Sequence, residues 1–195
     1  MSKNIAGGGW TFMQDHVNAY AYWDGAFNSD ECKQIIELGK ALPQQRGTTF
    51  NQDTEYRASN VAWIYPSDES NWVFARIAQI VNNLNDNFFG FDLFGMVEGL
   101  QFTVYEGVEE GKYGKHTDVM FQGTVRKLSI TVQLSDENSY EGGDLILHTG
   151  KDGYTNSKGQ GRLLAFPSYT LHEVKPVTKG TRYSLVAWVT GKPFK

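Results

Sequence analysis

Two histidines and one aspartate in the second half of the chain have the residue types and spacing with the clearest chemical potential. His116 and Asp118 are two positions apart, so in an extended segment their side chains point to the same side and can bind one ion together. A third ligand must come from a distant strand, and His172, which follows the turn residues Pro167 and Ser168, is well placed to supply it. Two imidazoles and a carboxylate are the ligands expected for a non-haem Fe(II) ion that keeps open coordination positions.

Arg182, ten positions after His172, begins a segment rich in β-forming residues. In a strand it shares one face with Ser184, Val186 and Trp188. A guanidinium is planar and always charged, and it can bind a carboxylate through two parallel hydrogen bonds. The sequence therefore predicts that Arg182 holds the far carboxylate of a dicarboxylic co-substrate whose near end chelates the metal.

Three other residues are alternatives for these roles. His148 also ends a predicted strand and could be the third ligand, but it lacks the downstream arginine, so His172 is preferred. Lys175 and Lys179 could anchor the carboxylate, but they lie in a loop that we expect to be solvated. Arg182 is therefore the preferred anchor.

The same residues belong to a longer pattern that resembles a known family. The pattern comprises segments 101–105, 128–134 and 140–147, together with the two residues His116 and Asp118 and the stretch 172–188. It is similar to the Fe(II)/2-oxoglutarate-dependent dioxygenases, and within them to the prolyl 4-hydroxylase-like branch with its compact bacterial and phage members. The resemblance covers roughly half of the chain, in order.

The resemblance implies a set of cofactors and a role for each site residue. It implies Fe(II) held by the triad, 2-oxoglutarate held by Arg182, O2 as the oxidant and ascorbate as a candidate reductant. Tyr105, Thr131, Gln133 and Trp188 are then expected to line the co-substrate pocket, although Tyr105 and Trp188 would also suit ordinary core packing. Some relatives carry a second tyrosine at the position of Gln133, so the second contact to the far carboxylate stays open.

The substrate side is expected around Arg57 and Trp63. Relatives carry an Arg-x-Ser segment there that borders the substrate groove, while an ordinary edge strand is the alternative. The implied function is hydroxylation of an unactivated C–H bond, with a peptidyl proline of a protein or peptide as the leading substrate. Since one scaffold serves many reactions, a free amino acid or another protein side chain is the main alternative substrate.

Two other function classes are weaker alternatives. A nucleic-acid demethylase with the same cofactors is disfavoured, because Trp188 stands where that branch has a second arginine. A non-catalytic jelly-roll binding module is disfavoured by the intact set of metal ligands with its arginine. The first measurement that separates an enzyme from a binding module is consumption of 2-oxoglutarate in the presence of Fe(II).

Helical and strand-like patterns divide the chain into two parts. Apolar residues at helical spacing predict helices over 30–42 and 66–87. From residue 96 onward, short strands separated by glycine and charged turns are predicted. The predicted strands are 99–106, 113–119, 126–134, 143–149, 161–166, 169–175 and 182–190. Helices followed by many strands indicate a mainly β fold with supporting α-helices, a double-stranded β-helix barrel of the jelly-roll or cupin-like type.

The chain is expected to form a single domain, 1–195. Residues 1–95 would supply helical support and substrate-side strands, and residues 96–195 the jelly-roll core with the metal site. With 195 residues, 40% of them hydrophobic, a substantial core is possible without metal or disulfide staples.

Charge and cysteine content narrow the function classes further. Cys32 is the only cysteine, which excludes an intramolecular disulfide and a thiolate zinc cluster. The formal net charge of −4 and the scattered basic residues disfavour a nucleic-acid partner. Because no long apolar segment stands at the N-terminus or elsewhere, a cytoplasmic protein with no membrane association is expected.

Overall fold

The computed structural model describes residues 4–5, 11–12, 17–47, 56–121 and 123–193. The α-helices in these residues are α1 (Ser29–Ala41) and α2 (Asn71–Leu84), and a π-helical turn, Asn85–Phe89, follows α2 directly. Short 3-10 turns span Gly107–Glu109 and Glu137–Ser139. Within these ranges neither α-helix has the length and apolar composition needed to cross a membrane.

The remaining regular structure consists of short strands. In chain order they are β1 (Asn4–Ile5), β2 (Thr11–Phe12), β3 (Ala21–Trp23), β4 (Gln45–Arg46), β5 (Arg57–Ala58), β6 (Asn60–Ile64), β7 (Leu93–Gly95), β8 (Leu100–Glu106), β9 (Lys112–His116), β10 (Met120–Phe121), β11 (Thr124–Gln133), β12 (Tyr140–Gly142), β13 (Leu145–Leu147), β14 (Tyr154–Thr155), β15 (Leu163–Pro167), β16 (His172–Val174) and β17 (Val177–Gly191).

Two antiparallel sheets carry most of these strands. The larger sheet has the order β3-β15-β11-β17-β8-β6-β4, and β7, β10 and β12 pair with its central strands. The smaller sheet has the order β14-β13-β16-β9-β5. Because β11 lies between β15 and β17, strands distant in the sequence become neighbours, as a jelly roll requires. The mainly β fold with supporting helices is as predicted.

Side chains alternate along the central strand β11, so this strand serves both faces of the larger sheet. Leu128, Ile130 and Val132 belong to the hydrophobic core formed with α1 and α2. Ser129 and Thr131, which lie between them, line a pocket on the opposite face. Residues of both sheets form a second apolar cluster on that side. The helices therefore cover one face of the larger sheet and the smaller sheet covers the other.

α1 begins at a capping box, in agreement with its prediction. The Asn28 side chain accepts hydrogen bonds from the backbone N–H groups of Asp30 (3.0 Å) and Glu31 (2.9 Å), and the Glu31 carboxylate accepts one from the backbone N–H of Asn28 (2.9 Å). The buried face carries Cys32, where burial raises the pKa of the thiol to about 11. This cysteine is therefore an unreactive core residue.

α2 begins later than the predicted start at residue 66. Residues 67–70 form a separate turn, in which the backbone N–H of Ser70 donates to the Ser67 carbonyl (3.1 Å) and that of Ser67 donates to the Ser70 hydroxyl oxygen (3.0 Å). The Ser70 hydroxyl donates in turn to the Tyr65 carbonyl (2.7 Å), so it does not cap α2. Local serine hydrogen bonds therefore compete with the first helical turn and delay the helix to Asn71.

Some strand boundaries also differ from the predicted ones. The predicted strand 169–175 is shortened to β16, because the backbone N–H of Thr170 donates to the Pro167 carbonyl (2.8 Å) and closes a turn there. The predicted strand 182–190 is extended to β17, which begins at Val177 and pairs with β12 at its start. The predicted strand 113–119 ends early, at His116.

Gly39 of α1 is expected to tolerate no side chain. A Cβ atom at this position would overlap the ring of Phe102 on β8, and both residues are buried. Alanine stabilises a helix by up to about 1 kcal/mol relative to glycine, but overpacking a tight core costs about 1–3 kcal/mol. Because three ring atoms are overlapped, we expect Gly39→Ala to lower the free energy of unfolding by about 2 kcal/mol net, and the melting temperature by roughly 4–8 °C.

Gln34→Ala, on the exposed face of the same helix, is the matched control. It should leave the melting temperature nearly unchanged, since surface substitutions stay within about 0.5 kcal/mol. A Gly39→Ala protein that melts no lower than this control would contradict the close packing of α1 on β8.

Candidate active site

A pocket that is partly open to solvent lies between the two sheets. Its walls come from β8, β11, β15 and β17 of the larger sheet and from β9, β13 and β16 of the smaller one. His116, Asp118, His172 and Arg182 all line it. The fold therefore brings the four principal residues of the sequence prediction into one cavity.

The two histidines and the aspartate form a compact cluster in this pocket. Their ligand atoms all lie within 4.8 Å of one another. His116 and His172 are paired across β9 and β16, so the two imidazoles stand side by side. The Nε2 atom of His116 is 3.8 Å from Oδ1 of Asp118, and that of His172 is 3.5 Å from Oδ2. This donor set, two imidazole nitrogens and one carboxylate, can hold a transition-metal ion such as Fe(II).

Backbone carbonyl groups orient both imidazoles. Nδ1 of His116 lies 2.8 Å from the Gly114 carbonyl oxygen, and Nδ1 of His172 lies 2.9 Å from the Thr170 carbonyl oxygen. A carbonyl only accepts, so in the uncharged form of each ring Nδ1 carries the proton and Nε2 keeps a free lone pair. Both rings therefore present the nitrogen that the cluster needs to bind a metal.

Aromatic side chains fix the planes of the two imidazole rings. Tyr113 stacks on His116 with ring centroids 3.5 Å apart, and Phe166 meets His172 edge-on at 4.8 Å. The guanidinium of Arg57 lies 4.4 Å from the centroid of the Tyr113 ring. Arg57, predicted to contact substrate, therefore lies against the ring that stacks on His116.

Serine side chains and a backbone bond hold Asp118. Its backbone N–H donates to the Ser168 carbonyl (2.8 Å), and its Oδ2 accepts a hydrogen bond from the Ser129 hydroxyl (2.8 Å). The Ser129 and Ser168 hydroxyl oxygens are 3.0 Å apart. The carboxylate is therefore oriented from β11 as well as from its own loop. Ser129 had no assigned role in the prediction from the sequence.

The pKa values of the cluster favour the metal-binding forms. Burial lowers the pKa of His116 to about 4, and the nearby His172 acts in the same direction. The His116 imidazole is consequently uncharged at neutral pH. Burial alone would raise the pKa of Asp118, but His172 and His116 outweigh it and hold that pKa below its ordinary value. Near neutral pH the site thus combines a carboxylate with at least one uncharged imidazole.

Arg182 is a buried cation with an unsatisfied donor. The residue is 3% exposed, and its Nη1 atom has no hydrogen-bond partner among the described residues. Its guanidinium carbon is 5.3 Å from the centroid of the Tyr105 ring. Burying an unpaired polar group is costly, and more so for a charged one, so this position is suited to an anion from outside the protein. A carboxylate would satisfy it with charge-assisted hydrogen bonds.

The wall around Arg182 includes a residue that the sequence analysis did not single out. Tyr140 is buried, and its hydroxyl accepts a hydrogen bond from Nε2 of Gln133 (3.0 Å). Burial raises the pKa of Tyr140, while the nearby Arg182 guanidinium acts in the opposite direction. Gln133, predicted to contact the co-substrate, is not among the residues that line the pocket. It is connected to Arg182 through Tyr140.

A glycine makes room for the Arg182 side chain. Gly143 has φ +67°, and a Cβ atom there would lie 2.9 Å from Cδ of Arg182 and 3.2 Å from the Tyr140 ring. The preceding Gly142 also has positive φ, and the pairing of β12 with β17 shifts register at that point. The two glycines, visible in the sequence, mark the bend that brings Tyr140 beside the arginine.

The other predicted residues divide between the pocket and its surroundings. Tyr105, Thr131 and Trp188 line the pocket, as predicted. Trp63 is not one of the lining residues, but its ring centroid is 6.2 Å from that of Trp188. Trp63 is half-buried and therefore adjoins the pocket through Trp188.

The alternative candidates lie elsewhere. Nε2 of His148 is 3.0 Å from Oε1 of Glu173, and Nζ of Lys175 is 3.0 Å from the other oxygen of the same carboxylate. Nζ of Lys179 pairs with Glu141 at 2.9 Å, and its side chain is 77% exposed. Within the described part of the chain, none of these three belongs to the metal cluster or lines the pocket.

Comparison with known families agrees with this geometry. Residues 100–190, which hold the whole cluster and Arg182, match the sequence model of the 2OG-Fe(II) oxygenase superfamily, in which 2OG is 2-oxoglutarate. This stretch is slightly less than half of the chain, and through it the chain is similar to this superfamily. The metal and co-substrate in the name of this superfamily, Fe(II) and 2-oxoglutarate, are the ones expected from the sequence.

Within the superfamily, the similarity is to the prolyl 4-hydroxylase-like members. A PKHD-type hydroxylase of Prochlorococcus marinus is 38% identical over 94 residues, which are 48% of this chain and 42% of that protein. The match therefore spans less than half the length of this relative.

Solved structures extend the similarity to the fold. A Trichoplax adhaerens prolyl hydroxylase, in complex with a hypoxia inducible factor oxygen degradation domain peptide fragment, has a TM-score of 0.74 at 19% identity, covering 89% of this chain and 84% of that one. A Pseudomonas putida prolyl-4-hydroxylase has a TM-score of 0.69 at 18% identity, covering 90% and 94%. These likenesses confirm the predicted jelly-roll fold.

Proposed function

We propose that this protein is an Fe(II)- and 2-oxoglutarate-dependent oxygenase that hydroxylates an unactivated C–H bond, with a prolyl residue of a peptide as its leading substrate. His116, Asp118 and His172 are proposed as the metal ligands and Arg182 as the anchor of 2-oxoglutarate. O2 is the oxidant, and ascorbate is a candidate reductant.

One observation carries the proposal: a metal-type cluster and a buried, unsatisfied guanidinium share one pocket. The three ligand atoms lie within 4.8 Å of one another, and Nη1 of Arg182 has no partner among the described residues. A metal chelated by one end of a dicarboxylic 2-oxo acid, with an arginine on the other end, would satisfy both features at once. Neither feature alone would distinguish this class from other metal or anion sites.

Bound Fe(II) and 2-oxoglutarate would supply the oxidising chemistry. O2 would give one oxygen atom to the substrate and the other to succinate, which would form as 2-oxoglutarate loses CO2. The protein's own residues orient and shield the reactants. Arg182 fixes the far carboxylate, and Tyr140 and Tyr105 hold the guanidinium in place. The side chains of Phe166, Leu145 and Val186 make the lining largely apolar, which limits access of water.

A peptide substrate is supported by the aromatic surroundings of the pocket and by one structural relative. Trp63 is half-buried beside Trp188, so a flat apolar residue such as proline could pack against both rings. The Trichoplax protein of the same fold has a peptide bound. A free amino acid or another protein side chain would use the same metal site and is separated from peptidyl proline by the experiment below.

The test is a two-stage assay of the purified protein. Anaerobic titration of the Fe(II)-loaded protein with 2-oxoglutarate should produce the visible metal-to-ligand charge-transfer band of a chelated 2-oxo acid. In air, proline-rich peptides should then stimulate succinate formation and gain the mass of one oxygen atom. Matched peptides with alanine in place of proline should do neither.

The outcomes test the prolyl substrate and the oxygenase activity separately. A band without stimulation by any peptide would contradict the prolyl substrate and direct the search to free amino acids. Absence of the band in protein shown to contain iron would contradict the oxygenase itself.

A further inference from the structure

Trp188 is a buried donor at the edge of the metal cluster. It is 8% exposed, it lines the pocket, and its Nε1 atom has no partner at ordinary hydrogen-bond geometry among the described residues. On the neighbouring strand it is paired with Ser129, which donates to Oδ2 of Asp118. Because paired residues of adjacent strands project from the same face, the indole and the serine hydroxyl approach the carboxylate from one side.

The acceptor on that side of the pocket is the Asp118 carboxylate. Asp118 lines the same pocket as Trp188, and its Oδ2 already accepts a hydrogen bond from the Ser129 hydroxyl beside the indole. An ionised carboxylate has about four acceptor sites, so it can accept from both groups and still offer one oxygen to a metal. A donor without an ordinary hydrogen bond among the described residues therefore lies on the same side of the pocket as an acceptor with capacity to spare.

A buried ion pair holds the indole ring from behind. The guanidinium of Arg126 lies 3.9 Å from the Trp188 ring centroid. Its Nε and Nη2 atoms donate hydrogen bonds to the two carboxylate oxygens of Glu98, at 2.8 and 2.5 Å. Both charged side chains are less than 10% exposed. A buried ion pair often adds little net stability over apolar residues of the same size. Because this pair lies against a ring that lines the pocket, its position suggests that it orients the indole. A planar guanidinium is well suited to stack on an indole.

We propose that the indole N–H of Trp188 positions the Asp118 carboxylate for metal binding, and that the Glu98–Arg126 ion pair holds the indole in the required orientation. The inference rests on the metal-ligand role proposed for Asp118. When a metal binds one oxygen of the Asp118 carboxylate, the N–H of Trp188 and the hydroxyl of Ser129 donate to its remaining acceptor positions and fix the orientation of the carboxylate. Trp188 is thus a positioning residue, which acts on the metal through Asp118.

The test measures Mn(II) affinity without 2-oxoglutarate or substrate, from the electron paramagnetic resonance signal of free Mn(II). Trp188→Phe keeps an aromatic ring but removes the donor. Loss of a group that orients a metal ligand typically weakens metal binding by about 10- to 100-fold, so we expect the Mn(II) dissociation constant to rise at least about 10-fold. Trp72→Phe is the matched control, because it also removes an indole and its hydrogen bond, here to the Glu69 carbonyl (2.9 Å), outside the pocket.

Glu98→Gln tests the second half of the proposal and leaves the indole in place. It should weaken Mn(II) binding less than Trp188→Phe does, and the double variant should bind no more weakly than Trp188→Phe alone, since both changes act through one indole. If Trp188 and Glu98 served only to stabilise the fold, the two substitutions would lower the melting temperature additively and leave the Mn(II) dissociation constant unchanged.

The possible results are distinct. Mn(II) binding by Trp188→Phe that equals that of the Trp72→Phe control would overturn the role of the indole. If Trp188→Phe does not fold, an unchanged Mn(II) affinity in Glu98→Gln would overturn the orienting role of the ion pair. Failure of the unmodified protein to bind Mn(II) would overturn the metal site proposed above, and this inference with it.

Discussion

Replacing His172 by alanine is expected to abolish Fe(II) binding and turnover. The substitution removes one of three ligand atoms that lie within 4.8 Å of one another, and the two that remain cannot hold the ion on one face. Loss of a group that only orients a ligand already weakens metal binding by about 10- to 100-fold, so loss of the ligand itself should exceed 100-fold. Anaerobic Fe(II) titration measures the affinity, and succinate formation measures the turnover.

His148→Ala is the matched control for this prediction. It removes another histidine, the residue that directly follows β13, and the ring of this histidine contacts Glu173 rather than the cluster. Because the partly exposed pair contributes no more than about 1 kcal/mol, both iron binding and folding should be nearly unchanged. If His148→Ala lost iron while His172→Ala kept it, the ligand assignment would be wrong.

Arg182→Ala is expected to raise the concentration of 2-oxoglutarate needed for activity while leaving iron binding intact. Hydrogen bonds to a charged group contribute about 1.5–3 kcal/mol, and a loss of 2–3 kcal/mol corresponds to a roughly 30- to 150-fold higher KM. The guanidinium carbon lies 5.3 Å from the centroid of the Tyr105 ring, and Arg182 is not a member of the metal cluster. The measurements are the KM for 2-oxoglutarate and the Fe(II) dissociation constant of the same preparation.

Lys175→Ala and Lys179→Ala provide the controls for the arginine. Both lysines were alternative anchors, and both form ion pairs at the surface, with Glu173 and Glu141. Neither substitution should change the KM for 2-oxoglutarate by more than about 2-fold, since exposed ion pairs contribute little. An Arg182→Ala protein with an unchanged KM would remove this residue from the co-substrate site.

Much of the pocket could be predicted because strand alternation is a local property. Along β17, the inward face predicted for Arg182, Ser184, Val186 and Trp188 is the face that lines the cavity. The prediction needed only the period of two that any extended segment has. The same rule placed Ser129 and Thr131 on one side of β11.

The supporting contacts could not be predicted in this way. The hydrogen bond of Tyr140 to Gln133 and the stacking of Arg126 on Trp188 depend on how separate segments are paired. The delayed start of α2 has a similar origin, because the Ser70 hydroxyl is taken by the Tyr65 carbonyl. No residue type or spacing in the sequence indicates which residues form these contacts.

Residue types and local periodicity by themselves predicted a metal cluster of two imidazoles and a carboxylate, with an arginine as a carboxylate anchor, in a mainly β chain. The tertiary structure alone decided which histidine pairs with His116, what holds Asp118, and how Arg182 comes to be buried without a partner. The physical reason is that a side chain's face follows from its own backbone, whereas its neighbours follow from strand register. A shift of one residue in that register would turn each side chain to the opposite face of the sheet.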